Sequence, residues 1–304
     1  MKKILLSSLL LLSLLLTACG GDSEPSADGG EVFNFGTQSY TDPKIMAQIT
    51  KQLIEAETDH EVKITEDIQA SPQIINAMDQ GEFDLALLFS GEVYNNYFDE
   101  DEIEYTTSPD KTMEQAQELF KEHYNFKWYD DAGFSNQYSI AIHNDFAEEN
   151  DINTMSDLSA YAGDLVIGGD STWIERENDG LRAYQEAYDS KFKDSRGMQV
   201  SLMYEGMKNR ELDVIAAYTV DPHIPEYDLK LLEDDRNFFP PYEGSIVAKN
   251  ELVNEYPEVS DILDSIVGLV STEEMTGLIR EVDINGRSTD EVAKEFLQEK
   301  GMLD

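Results

Sequence analysis

The sequence predicts an α/β fold, and three features carry that expectation. Stretches with strand character alternate with stretches of helical period along the chain, the pattern of helices packed on sheets. The one long apolar segment stands at the N-terminus, outside that alternation. No internal repeat breaks it up.

In order, Val32–Phe35 reads as a short strand, and Lys44–Glu57 as a helix with Ile45, Ile49 and Leu53 on one face. Val62–Ile64 is a strand, Pro72–Asp79 a helix, and Phe83–Phe89 an apolar strand. Met113–His123 follows as a helix and Tyr138–Ile142 as a strand. Residues 165–168 form the next strand, and helices lie near Glu177–Tyr188 and Leu202–Arg210. VIAAY at 214–218 is a strand, and the last fifty residues are helical. Ser271 and Ser288 each precede a glutamate by three residues, the spacing of a capping box. The strand–helix alternation implies mostly parallel sheets.

The first eighteen residues are read as a leader. Lys2 and Lys3 precede the apolar run Ile4–Leu16, which is too short to span a bilayer, and Leu16-Thr17-Ala18-Cys19 follows. Small residues before a cysteine resemble a bacterial lipobox, which would leave a diacylated Cys19 at the new N-terminus. Cys19 is the only cysteine, so no disulfide can form within the chain. An ordinary secretory signal with a chance cysteine is the other reading. Residues 19–31, rich in Gly, Ser, Asp and Glu, read as a flexible tether.

Without the leader 286 residues remain, enough for two lobes, and the net charge moves from −41 to −43. Such acidity argues against nucleic acid or an anionic membrane surface as partner. One account of it is adaptation to high external salt, which screens self-repulsion; stability measured at low and at molar salt tests this. An anchored α/β protein of this size is most simply an extracytoplasmic solute receptor, with its site at strand ends in the cleft between lobes.

A lipid-anchored hydrolase is the alternative from another class. The four histidines, His60, His123, His143 and His223, show no HExxH spacing, and there is no GxSxG, C-x-x-C or GxxxxGK[ST]. Residues 99–102, DEDE, lack the glycine and the distal glutamate of a calcium loop and read as a solvated acidic loop. No catalytic residue, cofactor or metal is expected.

Fifteen tyrosines invite a binding role, and several sit at predicted strand ends or loops. Tyr138 opens a strand, Tyr218 closes one, and Tyr242 follows a double proline. For any one of them, half-buried packing with the hydroxyl satisfied is the favoured reading by position.

The chain from about residue 32 onward resembles the substrate-binding lipoproteins of bacterial ABC importers for osmoprotectants, of the glycine betaine/carnitine/choline type. The stretches that carry the resemblance are GTQSYTDPKIMAQITKQLIE, KWYDDAGFSNQYSIAI, GDSTWIERENDG, LDVIAAYTVDPHIPEYDLKLLEDDRNFFPPYEGSIVA and STEEMTGLIREVD. It implies a type II periplasmic-binding-protein fold, two α/β lobes joined by a hinge. Lobe I would comprise residues 32–136 and 243–304, and lobe II residues 137–242.

The resemblance further implies an aromatic cage around a quaternary ammonium group, at Phe89, Tyr138, Tyr218 and Tyr242. A trimethylammonium group has no N–H to donate, so aromatic faces must hold it through cation–π attraction and methyl burial. Gln38 matches a residue that contacts the ligand's tail, and Asn136 one whose main chain approaches it. Arg176 matches an arginine that reaches a ligand carboxylate on closure; an interlobe or surface ion pair is its other reading.

Three residues depart from the family pattern: Phe89 replaces a tyrosine, Glu92 a threonine in the same turn, and His223 an arginine. Glu92 on the tail side favours a choline-like hydroxyl over the carboxylate of glycine betaine, unless it turns outward or pairs with Arg176. The expected partners are a small quaternary ammonium ligand, an ABC permease and the outer face of the cell membrane through the lipid. A receptor for another small cation, such as a polyamine, would need several carboxylates along the cleft, and the resemblance places only Glu92 there.

Overall fold

The computed structural model describes residues 30–304 except Asn96, Glu100 and Asn178. The leader, Cys19 and all of the tether before Gly30 lie outside the described residues. Among the described residues no helix is long and apolar enough to cross a membrane.

Ten strands are present among the described residues: β1 (Val32–Gln38), β2 (Glu61–Ile68), β3 (Leu85–Phe89), β4 (Phe126–Trp128), β5 (Tyr138–His143), β6 (Val166–Asp170), β7 (Asp194–Met198), β8 (Val214–Tyr218), β9 (Leu229–Leu231) and β10 (Gly244–Lys249). They form two five-stranded sheets, ordered β2-β1-β3-β10-β4 and β7-β6-β8-β5-β9. The first sheet takes strands from both ends of the chain, the second from its middle. Helices cover both, four of them in the C-terminal stretch 250–299.

Residues 85–89, LALLF, are buried along their whole length because β3 lies inside its sheet with a core on each face. Leu87 and Phe89 join one apolar cluster while Ala86 and Leu88 join another. This is the continuous apolar run expected of a strand covered on both sides.

The sheets are mixed, not mostly parallel. β10 runs antiparallel to β3 and β4, and β5 runs antiparallel to β8 and β9. In each sheet that strand is the one the chain enters on changing sheets. A helical crossover returns a strand in parallel, whereas entry from the other sheet carries no such constraint.

The two crossings run side by side. Ser135 forms an antiparallel bridge with Glu243, and the Asn136 N–H donates to the Tyr242 carbonyl at 2.9 Å. Gly244 N–H donates to the Phe134 carbonyl at 3.0 Å.

Two local expectations change. The helix read near Glu177–Tyr188 starts only at Leu181 and runs to Tyr188, and a separate short helix, Ser171–Glu175, ends before it at Arg176. Arg176 is extended (φ −66°, ψ 138°), and a Cβ on Gly180 would lie 2.2 Å from the Arg176 carbonyl oxygen, so the loop requires a glycine there. Ser271 and Glu274 form a complete capping box, but Ser288 only accepts from the Glu291 N–H.

Candidate functional site

Tyr138 and Tyr218 lie opposite each other in the antiparallel register of β5 and β8. Their ring centroids are 4.8 Å apart. Each hydroxyl donates to the same oxygen, Oδ2 of Asp170, at 3.1 Å. Asp170 ends β6, and its other oxygen accepts the Trp173 N–H at 2.9 Å, capping the short helix. One carboxylate thus serves as helix cap and as anchor for two phenols. Burial, with added repulsion from Asp170, raises the Tyr138 and Tyr218 hydroxyl pKa values well above the ordinary range, so both remain donors.

Tyr242 approaches from the returning crossing, its ring edge-on to Tyr138 at 6.1 Å and 84°. Arg176 Nη1 donates to the Tyr242 hydroxyl at 3.1 Å and to Asp179 Oδ2 at 3.0 Å. The guanidinium carbon lies 5.3 Å from the centroid of Tyr138. Trp173 fixes the loop by donating its indole N–H to the Asp179 carbonyl at 2.9 Å.

Phe89 ends β3 opposite Gly244 and is buried in the same apolar cluster as Tyr138 and Tyr242. Its ring meets Phe134 edge-on at 6.4 Å. The following turn packs under Tyr242: a Cβ on Gly91 would lie 2.8 Å from that ring and 2.7 Å from the Pro241 carbonyl oxygen.

Gln38, at the end of β1, donates through Nε2 to the Ser71 hydroxyl, which donates to Glu92 Oε1. Asn95 Nδ2 donates to Glu92 Oε2 at 2.7 Å. Glu92 is only 5% exposed, and burial pushes its carboxyl pKa up against the pull of Ser71, Asn95 and, more distantly, Arg176. It neither turns to solvent nor takes Arg176 as a hydrogen-bond partner.

Asn136 is occupied on two sides: its N–H by Tyr242, and its Nδ2 by Asp42 Oδ2 at 2.9 Å. Its buried Oδ1 has no hydrogen-bond partner. Asp42 is buried in the first turn of the helix Thr41–Glu57, and burial pushes its pKa up to about 7. His223 pairs with Asp221 through Nδ1 at 2.8 Å and stacks on Tyr204, closing the turn after Tyr218. The bond to Asp221 raises the imidazole pKa.

The structure therefore groups Tyr218, Tyr242 and Arg176 around Tyr138, bonds Arg176 to Tyr242 as well, and joins Gln38 to Glu92 through Ser71. Sequence reasoning missed Asp170, Asp179, Ser71, Asp42 and Tyr40, whose ring lies 5.9 Å from Tyr218 and is 38% exposed. Only Tyr40 had a signal, since it follows a strand as the other site tyrosines flank theirs.

Two α/β sheets joined by paired crossings, with phenols at strand ends beside an arginine and buried carboxylates, define a bilobal solute-binding protein. The chain belongs to the family described as the substrate-binding domain of the ABC-type glycine betaine transport system, whose model matches residues 33–299. It is 34% identical over 302 residues to the carnitine transport binding protein OpuCC of Listeria monocytogenes, covering 99% of this chain and 95% of that one. It is 30% identical over 226 residues to the ergothioneine transport permease/ergothioneine binding protein EgtU of Helicobacter pylori, covering 74% of this chain and 40% of that one. The crystal structure of a glycine betaine/carnitine/choline ABC transporter superposes with a TM-score of 0.79 at 30% identity, covering 90% of this chain and 100% of that one. The protein is thus a substrate-binding component of an ABC importer.

Proposed function

We propose that the protein captures a quaternary ammonium solute outside the membrane and hands it unchanged to an ABC permease. Tyr138, Tyr218 and Tyr242 serve as walls of a cage, with Phe89 as the fourth. The observation that carries this reading is the convergence of Tyr138 and Tyr218 on Asp170. It fixes two rings at adjacent strand ends and sets a carboxylate at their hydroxyl ends. Each ring contributes roughly 0.5–2 kcal/mol to a bound cation, more when water is excluded.

Arg176 serves a carboxylate on the ligand's tail, while Glu92, held inward by Ser71 and Asn95, favours a tail that donates a hydrogen bond. Glu92 supports a bias toward choline-like ligands. Gln38 and Asn136 shape the tail end. The lobes divide at residues 136/137 and 242/243, where the paired crossings lie, and close as a hinge. Cys19 carries the lipid that holds the receptor at the cell surface.

A thermal-shift screen of choline, glycine betaine, carnitine and proline betaine tests the reading. At least one should raise the melting temperature and be recovered chemically intact; no shift with any of them contradicts it.

A further inference from the structure

The cage already faces a cation of its own. The Arg176 guanidinium carbon is 5.3 Å from the Tyr138 centroid, inside the roughly 6 Å range of cation–π attraction. Its position is fixed: Nη1 bonds both the Tyr242 hydroxyl and Asp179, and Asp179 is only 5% exposed. The chain leads it there because the short helix ends at Arg176 and the backbone turns extended. Among the described residues no other lysine or arginine lies over Tyr138, Tyr218 or Tyr242.

We propose that Arg176 is a built-in competitor for the Tyr138 face, so that the receptor discriminates against cations that bring no carboxylate. The inference rests on the cage reading above. A trimethylammonium group and a guanidinium cannot share one ring face, because their volumes overlap and their like charges repel in a water-poor cleft. Entry of the ligand therefore drives Arg176 off Tyr138. A zwitterion offsets this loss, since its carboxylate accepts the displaced guanidinium as a two-pronged partner. A simple tetraalkylammonium ion displaces Arg176 from the Tyr138 face and brings no new partner in exchange, leaving it at most Asp179 and the Tyr242 hydroxyl. Arg176 thus acts on specificity through what it vacates as well as through what it grips. It opposes Glu92, which favours a hydroxyl tail, and so tempers the bias that Glu92 introduces.

The test titrates purified protein calorimetrically with tetramethylammonium, choline and glycine betaine. Wild type is compared with Arg176→Gln and Arg176→Lys. Because Arg176→Gln deprives the buried Asp179 carboxylate of a partner, Arg176→Gln/Asp179→Asn is measured beside it, with melting curves for all variants. The neutral variants should bind tetramethylammonium about tenfold tighter than wild type and glycine betaine about tenfold weaker. Arg176→Lys, which keeps the charge, should leave tetramethylammonium weak. If tetramethylammonium affinity is unchanged or falls in both neutral variants while wild type binds glycine betaine, the competitor role is overturned and the cage stands. If wild type binds none of the three ligands, the cage reading fails and this inference with it.

Discussion

Tyr138 and Tyr218 face each other across β5 and β8 with their hydroxyls 3.1 Å apart. Their rings are the part of the site that no hydrogen-bonding residue can replace for a trimethylammonium ligand. Tyr138→Ala and Tyr218→Ala should each weaken binding about tenfold or more, corresponding to about 1–2 kcal/mol per ring. Tyr138→Phe should keep most of the affinity and cost about 1–3 kcal/mol of stability, since Asp170 loses a donor while staying buried. Calorimetry beside denaturant unfolding separates the two effects.

Asp170 supports the cage from behind. Asp170→Asn keeps an oxygen for the Trp173 N–H, because asparagine caps a helix about as well as aspartate. It removes the negative charge near the cation. Affinity for choline should fall several-fold and the melting temperature should fall as well, because the amide nitrogen cannot accept from the Tyr138 and Tyr218 hydroxyls; equal affinity would show that the carboxylate serves the fold alone.

On the proposed reading Glu92 decides between tails. With both carboxylate oxygens engaged by Ser71 and Asn95, it presents a fixed acceptor. Glu92→Thr should lower the choline-to-glycine-betaine affinity ratio about tenfold, through tighter betaine binding. An unchanged ratio means that the ligand's tail does not meet this residue.

The tyrosines that meet at the strand ends were legible in the sequence because strand ends are where an α/β scaffold presents side chains, and the family resemblance selected among them. Asp170 was not legible. It follows two glycines at the end of β6 and is one of 63 acidic residues, distinguished only when three elements bring two phenols and an N–H to it. Strand direction was hidden for a similar reason: β5 and β10 look like any apolar strand, and only the change of sheet reverses them. The inward turn of Glu92 likewise depends on Ser71 and Asn95, neither of which forms a motif with it.

Asp42 makes stability depend on pH. Its folded pKa is pushed from 3.8 to about 7 by burial, with Asp283 and Asp221 adding to the shift against Asn136. A raised folded pKa means that the native state holds the proton more tightly than the unfolded chain. The stabilisation is complete below about pH 4 and is lost as pH rises through about 7, by about 4 kcal/mol for this group. Asp42→Asn should flatten that decline and raise stability at pH 8. Its amide also brings a donor near the unpartnered Oδ1 of Asn136. Urea unfolding from pH 4.5 to 8 checks both statements.

On the proposed reading, aromatic faces select a cation with no N–H to give. Titration of the wild-type protein with choline and with ethanolamine, which differ only in the three methyl groups, tests it most directly. The cage predicts measurable choline binding and at least a hundredfold weaker ethanolamine binding, about 3 kcal/mol. Ethanolamine binding as tightly as choline would contradict it.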